Sequence, residues 1–211
     1  MSNQPSVFVI GDSISIQYGP YFEKFIAGKL SYARKTGEAE ALLNLDVPQG
    51  ANGGDTSMVL DYLRGLQRAG QRVADVLLIN AGLHDIKTDP ATGKKQVPLD
   101  AYQKNLQAII PLARELAGEL VWITTTPSDD ATHNNRPTTT FHRYKTDNDA
   151  YRQAAAEITA AAGVAVIDLF TFTQQLGPDV YCDHVHFHEP VRQLQAAYIA
   201  GWLIARYGNA S

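Results

Sequence analysis

Two stretches near opposite ends of the chain carry the side chains that could do chemistry. Gly11-Asp12-Ser13 follows the apolar run Val7-Phe8-Val9-Ile10, and Tyr181-Cys182-Asp183-His184-Val185-His186-Phe187-His188-Glu189 is the richest cluster of ionisable side chains. A serine hydroxyl is a poor nucleophile at neutral pH unless an imidazole takes its proton, and the imidazole works best when a carboxylate fixes its tautomer. Ser13, His186 and Asp183 are residues of those three types, and Asp183 and His186 are close enough in sequence to lie on one turn. Such a trio would attack an acyl carbon. A plainer reading of Asp12 and Ser13 is that they cap the helix that follows.

For the trio to meet, the chain must bring both stretches to one edge. A short β-branched and aromatic run bounded by glycine reads as a buried parallel strand, and polar residues at its carboxyl end sit where open α/β sheets bind ligands. Val73 to Asn80 repeats this pattern, ending in Asn80-Ala81-Gly82-Leu83-His84-Asp85. Further strands are predicted at Ala41 to Val47, Leu120 to Thr124 and Val164 to Leu169, the second of the five being the weakest. Apolar spacing predicts helices over Tyr18 to Tyr32, Asp55 or Thr56 to Gly70, Leu99 to Leu116 with a kink at Pro111, Asp147 to Ala162, and Pro190 to Tyr207. Pro48 to Gly54 reads as a glycine-rich loop, and Thr125 to Thr146 has no clear period. His133, Asn134, Asn135, Arg136, His142 and Arg143 make that long segment polar enough to contact a substrate.

This alternation predicts an α/β fold: a doubly wound parallel five-stranded sheet with helices on both faces, in flavodoxin-like order. At 211 residues, 45% of them hydrophobic, the chain fits one domain spanning residues 1–211. In that fold the loop after the fifth strand opens on the same edge as the loop after the first, so His186 can reach Ser13.

With that geometry, GDSIS at Gly11 to Ser15, GGDTS at Gly53 to Ser57, GLHD at Gly82 to Asp85 and DHVH at Asp183 to His186 resemble the GDSL/SGNH hydrolases in order and approximate spacing. The resemblance covers almost the whole chain. It implies a serine esterase or acylhydrolase with Ser13 as nucleophile, His186 as general base and Asp183 as its orienting acid. It also implies an oxyanion hole containing the amides of Ser13 and Gly54. Where the family has asparagine in G-x-N-D, this chain has His84, and a neutral imidazole can replace the amide by donating one hydrogen bond. Asp12, Asn52, Asp85, His142 and His184 are candidate substrate contacts, and Asp85 could also tie its loop down.

The remaining motifs exclude other chemistries. Alternating His184, His186 and His188 beside Asp183 invite a zinc reading, but three histidines so close seldom converge on one ion without a ligand from elsewhere, so no metal is expected. His184 and His188 then belong to the rim or surface. The Gly50 to Gly54 loop lacks the nucleotide-binding arrangements, and there is no G-x-S-x-G elbow of an ordinary α/β-hydrolase. Cys182, the only cysteine, reads as a small buried side chain. A net charge of −4 with no basic stripe argues against nucleic acid. No segment is apolar enough to span a membrane, and strand-like sequence from Val7 leaves no room for a signal peptide, so a cytoplasmic protein is expected. The sequence carries no signal for oligomeric state.

The expected activity is hydrolysis of a carboxylic ester through an acyl-serine, without a cofactor. A short acyl ester, such as an acetyl ester of a carbohydrate or other small polar molecule, suits the polar segment from Thr125 to Thr146, which lacks the apolar stretch a lipase uses. A thioesterase or an acyltransferase on the same triad is the alternative among enzymes. Outside enzymes the alternative is an inactive carbohydrate- or anion-binding protein in which His84 marks a decayed oxyanion hole.

Overall fold

The computed structural model describes residues 4–208. Five parallel strands, β1 (Ser6–Ile10), β2 (Ser31–Arg34), β3 (Ala74–Ile79), β4 (Ala117–Ile123) and β5 (Ala165–Ile167), form a sheet in the order β2-β1-β3-β4-β5. This is the flavodoxin-like order the sequence predicts. Helices α1 (Ser13–Ile26) and α8 (Glu189–Tyr207) pack together, and α3 (Thr56–Arg68), α4 (Leu99–Leu116) and α6 (Lys145–Ala161) form the other layer. Short helices α2 (Glu38–Ala41), α5 (Asp130–Asn134) and α7 (Leu169–Gln174) lie in the connections.

The central strands are apolar because both faces are covered. Val76, Leu77, Leu78 and Ile79 of β3 are all buried, with Ile10 on one side and Val121 and Trp122 on the other. Phe22 and Ile26 from α1, Leu63 from α3 and Leu106 and Ile109 from α4 close the core over them. Each such side chain stabilises the fold by roughly 1.5–3 kcal/mol relative to exposure.

The first helix and the second strand differ most from expectation. The first helix begins at Ser13, where Asp12 Oδ1 accepts from the Ile14 amide at 3.0 Å, and runs through Pro20 to Ile26. There the amides of Lys29 and Leu30 both fold back onto the Ile26 carbonyl, freeing Ser31-Tyr32-Ala33-Arg34 to pair with β1 as the second strand. The predicted strand at Ala41 to Val47 is absent. Ala41 is buried at the end of α2, but Leu42, Leu43 and Val47 are 56%, 81% and 44% exposed, so most of its apolar letters face outward on a surface turn. Elsewhere, α5 lies inside the segment predicted to be aperiodic, α7 directly follows a shorter fifth strand, and Cys182 is exposed rather than buried. No helix among the described residues is long and apolar enough to cross a membrane.

Candidate active site

The carboxyl edge of the sheet is where the polar strand ends converge. β1 stops at Ile10, and the chain turns directly into α1, which leaves Ser13 at the first turn with an amide that no carbonyl of its own helix can accept. Cap and candidate nucleophile therefore coexist: Asp12 holds the helix end, worth about 1 kcal/mol, while Ser13 presents its hydroxyl. Asn52 bridges to Gly11, and the Gly53 amide donates to the Gly11 carbonyl at 2.8 Å, which sets Gly54 beside the serine turn. Gly54 has φ +70°, a left-handed conformation that side chains rarely adopt, so the backbone here favours glycine.

The last loop organises itself. Tyr181 and Phe187 pair as an antiparallel bridge, with Phe187 fully buried beneath it. Within the loop Asp183 Oδ1 accepts from the amides of Val185 and His186 at 2.8 and 2.7 Å, and Oδ2 accepts from His186 Nδ1 at 2.7 Å. A D-x-x-H spacing thus lets one carboxylate fix both the turn and the ring. With Nδ1 protonated, Nε2 offers its lone pair to Ser13 Oγ, 2.8 Å away. Burial would raise the Asp183 carboxyl, but its bonds to the His186 ring and amide outweigh this and hold it well below the usual carboxylate range. The serine, imidazole and carboxylate form one continuous hydrogen-bonded line, able to deprotonate the hydroxyl as it attacks a carbonyl carbon.

Gly82, at φ +146°, turns the chain after β3 and delivers His84 to the same edge. His84 is 2% exposed, Nδ1 is buried without a partner, and the ring forms no hydrogen bond to the described residues. Burial, then the nearby charges of Lys87, Arg143 and His186, keep its pKa well below the usual histidine range, so the imidazole is neutral and carries one N–H. Lys87 and Arg143 lie over the Phe141 ring at 4.4 and 4.9 Å. Burial brings Lys87 down to about 8 and Arg143 to about 10. Arg143 Nε donates to the Leu83 carbonyl at 2.9 Å, which holds the loop carrying His84.

Several candidate substrate contacts have other duties. Asp12 is buried as the cap. Asn52 is buried, and its Oδ1 already accepts the Gly54 amide at 2.9 Å, so that amide has an acceptor at rest. Asp85 is fully buried under the α3 terminus, accepting from the Thr56 amide and hydroxyl. His142 pairs through its backbone with Thr88 and through Nδ1 with the Tyr144 hydroxyl, away from the triad. His184 is buried rather than on the rim, with Nδ1 2.6 Å from His133 Nδ1, and His188 is the exposed residue before α8. Beside Asp183 and His186 lies a cavity of about 440 Å³ lined by His184, Asp46, Arg136, Leu42, Leu43 and Leu45. It shares Asp46 and Arg136 with a larger cavity of about 830 Å³ that reaches Lys87 and Phe141. Asp46 and the exposed leucines are functional-site neighbours that sequence reasoning did not single out, and His133, named for substrate contact, is instead fully buried against His184.

Asp85 also makes stability pH-dependent. Burial pushes its carboxyl up to about 7 despite the Thr56 bonds, so between about 4 and 7 the folded state holds a proton that the unfolded state releases. Its contribution is greatest below pH 4 and is lost as pH rises through about 7. Urea titrations from pH 4 to 8 should show Asp85→Asn gaining on wild type as pH rises, by an amount on the order of a few kcal/mol. A pH-independent difference would mean that Asp85 titrates alike folded and unfolded.

Residues 9–193 match the model of the GDSL-like lipase/acylhydrolase family. Among solved structures, a lipase/acylhydrolase from Enterococcus faecalis superposes with a TM-score of 0.70 at 18% identity, covering 96% of this chain and 97% of that one. A member of the lipolytic G-D-S-L family from Veillonella parvula gives 0.64 at 17%, covering 95% and 98%. A mutant acetyl-xylooligosaccharide esterase from Geobacillus gives 0.66 at 16%, covering 99% and 97%. At these identities the likeness establishes the fold. No curated protein matches the chain in sequence.

Proposed function

The chain belongs to the GDSL-like lipase/acylhydrolase family and is an ester hydrolase, and from that premise we propose that it cleaves short acyl esters, acetyl above all, of a carbohydrate or other small polar alcohol through an acyl-serine. The observation that carries this reading is the unbroken line from Ser13 Oγ through His186 to Asp183, with contacts of 2.8 and 2.7 Å.

Ser13 Oγ bonds to the ester carbonyl carbon as its proton passes to His186 Nε2, and Asp183 stabilises the imidazolium that forms. The negative tetrahedral oxygen is held by the Ser13 amide and by the N–H of neutral His84, with the Gly54 amide joining when it turns from Asn52 Oδ1. Lys87 and Arg143 add a positive field. Collapse breaks the bond to the alcohol oxygen, which leaves with the proton from His186. Water then attacks the acyl carbon by the same route, its proton passing to His186 and on to Ser13 Oγ as the acid departs.

Support for a polar alcohol comes from His184, Asp46 and Arg136 in the cavity beside the triad. The test is a series of nitrophenyl esters of increasing acyl length, with a fluorophosphonate probe followed by intact mass. One adduct, on Ser13, and the fastest turnover with acetyl are expected. Absence of labelling, or rates that climb with chain length, would count against the reading.

A further inference from the structure

The cavity beside the triad contains a histidine whose lone pair is aimed by two other groups. His133 is fully buried, and its Nε2 lies 3.0 Å from the Phe141 carbonyl, which can only accept, so Nε2 carries the proton. Neutral His133 is left with an accepting Nδ1. The 2.6 Å contact between the two Nδ1 atoms is then a hydrogen bond donated by His184. Burial, followed for His133 by the charge of Arg143 and for His184 by that of Arg136, brings the two rings down to about 3 and about 4, so both are neutral near pH 7. His184 is therefore the Nδ1–H tautomer, with a bare acceptor at Nε2.

That acceptor makes no hydrogen bond among the described residues. Asp46 Oδ2 is 3.8 Å away and is itself an acceptor, and Arg136 Nη1 stands 3.7 Å from the same oxygen. Both gaps are too wide for a direct hydrogen bond, and a hydroxyl set to one side of either, about 2.8 Å from each end, can bridge it. We propose that this cavity binds the alcohol half of the ester through two hydroxyls on neighbouring carbons, one donating to His184 Nε2, the other donating to Asp46 Oδ2 and accepting from Arg136. A vicinal diol supplies two donors side by side for two acceptors side by side. A lone hydroxyl has one proton and leaves one acceptor unmet. His184 is thus a specificity-determining residue, and His133 a positioning residue that acts through it. The inference rests on the esterase reading above and narrows its substrate class to esters of vicinal diols, as in sugars and polyols.

The test compares the primary monoacetate of glycerol, whose two remaining hydroxyls are vicinal, with the same ester after both hydroxyls are methylated. Wild type should prefer the free diol by about tenfold or more in kcat/KM, the scale of a buried hydrogen bond lost. His184→Phe and Asp46→Asn should each bring that ratio toward unity, mainly through KM. Asp46 lies on a partly exposed turn, so its variant reports even if His184→Phe does not fold. Long-range proton–nitrogen NMR on the resting protein should show His184 protonated at Nδ1 and His133 at Nε2. Equal rates on the two esters in wild type, an undiminished preference in Asp46→Asn, or a proton on His184 Nε2 overturns the diol site and leaves the esterase reading standing. Hydrolysis of neither ester overturns both.

Discussion

Ser13→Ala is expected to lower turnover of an acetyl ester by about four to six powers of ten, because a hydroxyl that forms the covalent intermediate has no substitute. The fold should survive. Ser13 is 6% exposed at the first turn of α1, and the cap of that helix is the Asp12 side chain, which the substitution leaves in place. The variant should keep the wild-type unfolding free energy in urea within about 1 kcal/mol and lose the fluorophosphonate adduct entirely. A variant that retained a tenth of wild-type turnover would refute the nucleophile assignment. His186→Ala should fall as far, since residues acting as one unit are grossly non-additive.

His84→Ala is expected to lower kcat by about a hundredfold to a thousandfold with little change in KM, the pattern of a donor used chiefly in the transition state. The ring is neutral and 2% exposed and makes no hydrogen bond among the described residues, so its one N–H is uncommitted at rest. His84→Asn should recover part of the loss, because an amide restores an N–H at comparable reach. If both variants stay within a few-fold of wild type, His84 is a loop residue and the hole consists of the Ser13 and Gly54 amides.

What could be read from the sequence follows from how local each determinant is. β1 and β3 were legible because a strand buried on both faces is apolar at nearly every position and stops sharply at its polar end. The Asp183–His186 unit was legible because one carboxylate, three residues from its histidine, builds the turn. β2 was not: Ser31-Tyr32-Ala33-Arg34 is an edge strand of four residues, largely outside the core, and its letters continue a helical period that ends only because the chain folds back at Ile26. Ala41 to Val47 failed in the opposite sense, its leucines facing solvent and the cavity mouth. The burial of His184 depends on His133, 51 residues away in a segment without periodicity, and no spacing rule connects the two.

The bond between Ser13 and His186 joins positions 173 residues apart. One half of the reactive pair, the hairpin from Tyr181 to Phe187, closes through contacts a few residues long. The other half rides on the first strand and helix, and the packing of α1 against α8 brings the two together. Closing so large a loop is slow relative to forming hairpins or helices. Catalytic competence should therefore report completed folding: during refolding from urea, ester hydrolysis should return no earlier than the slowest tertiary phase, well after far-ultraviolet ellipticity has recovered.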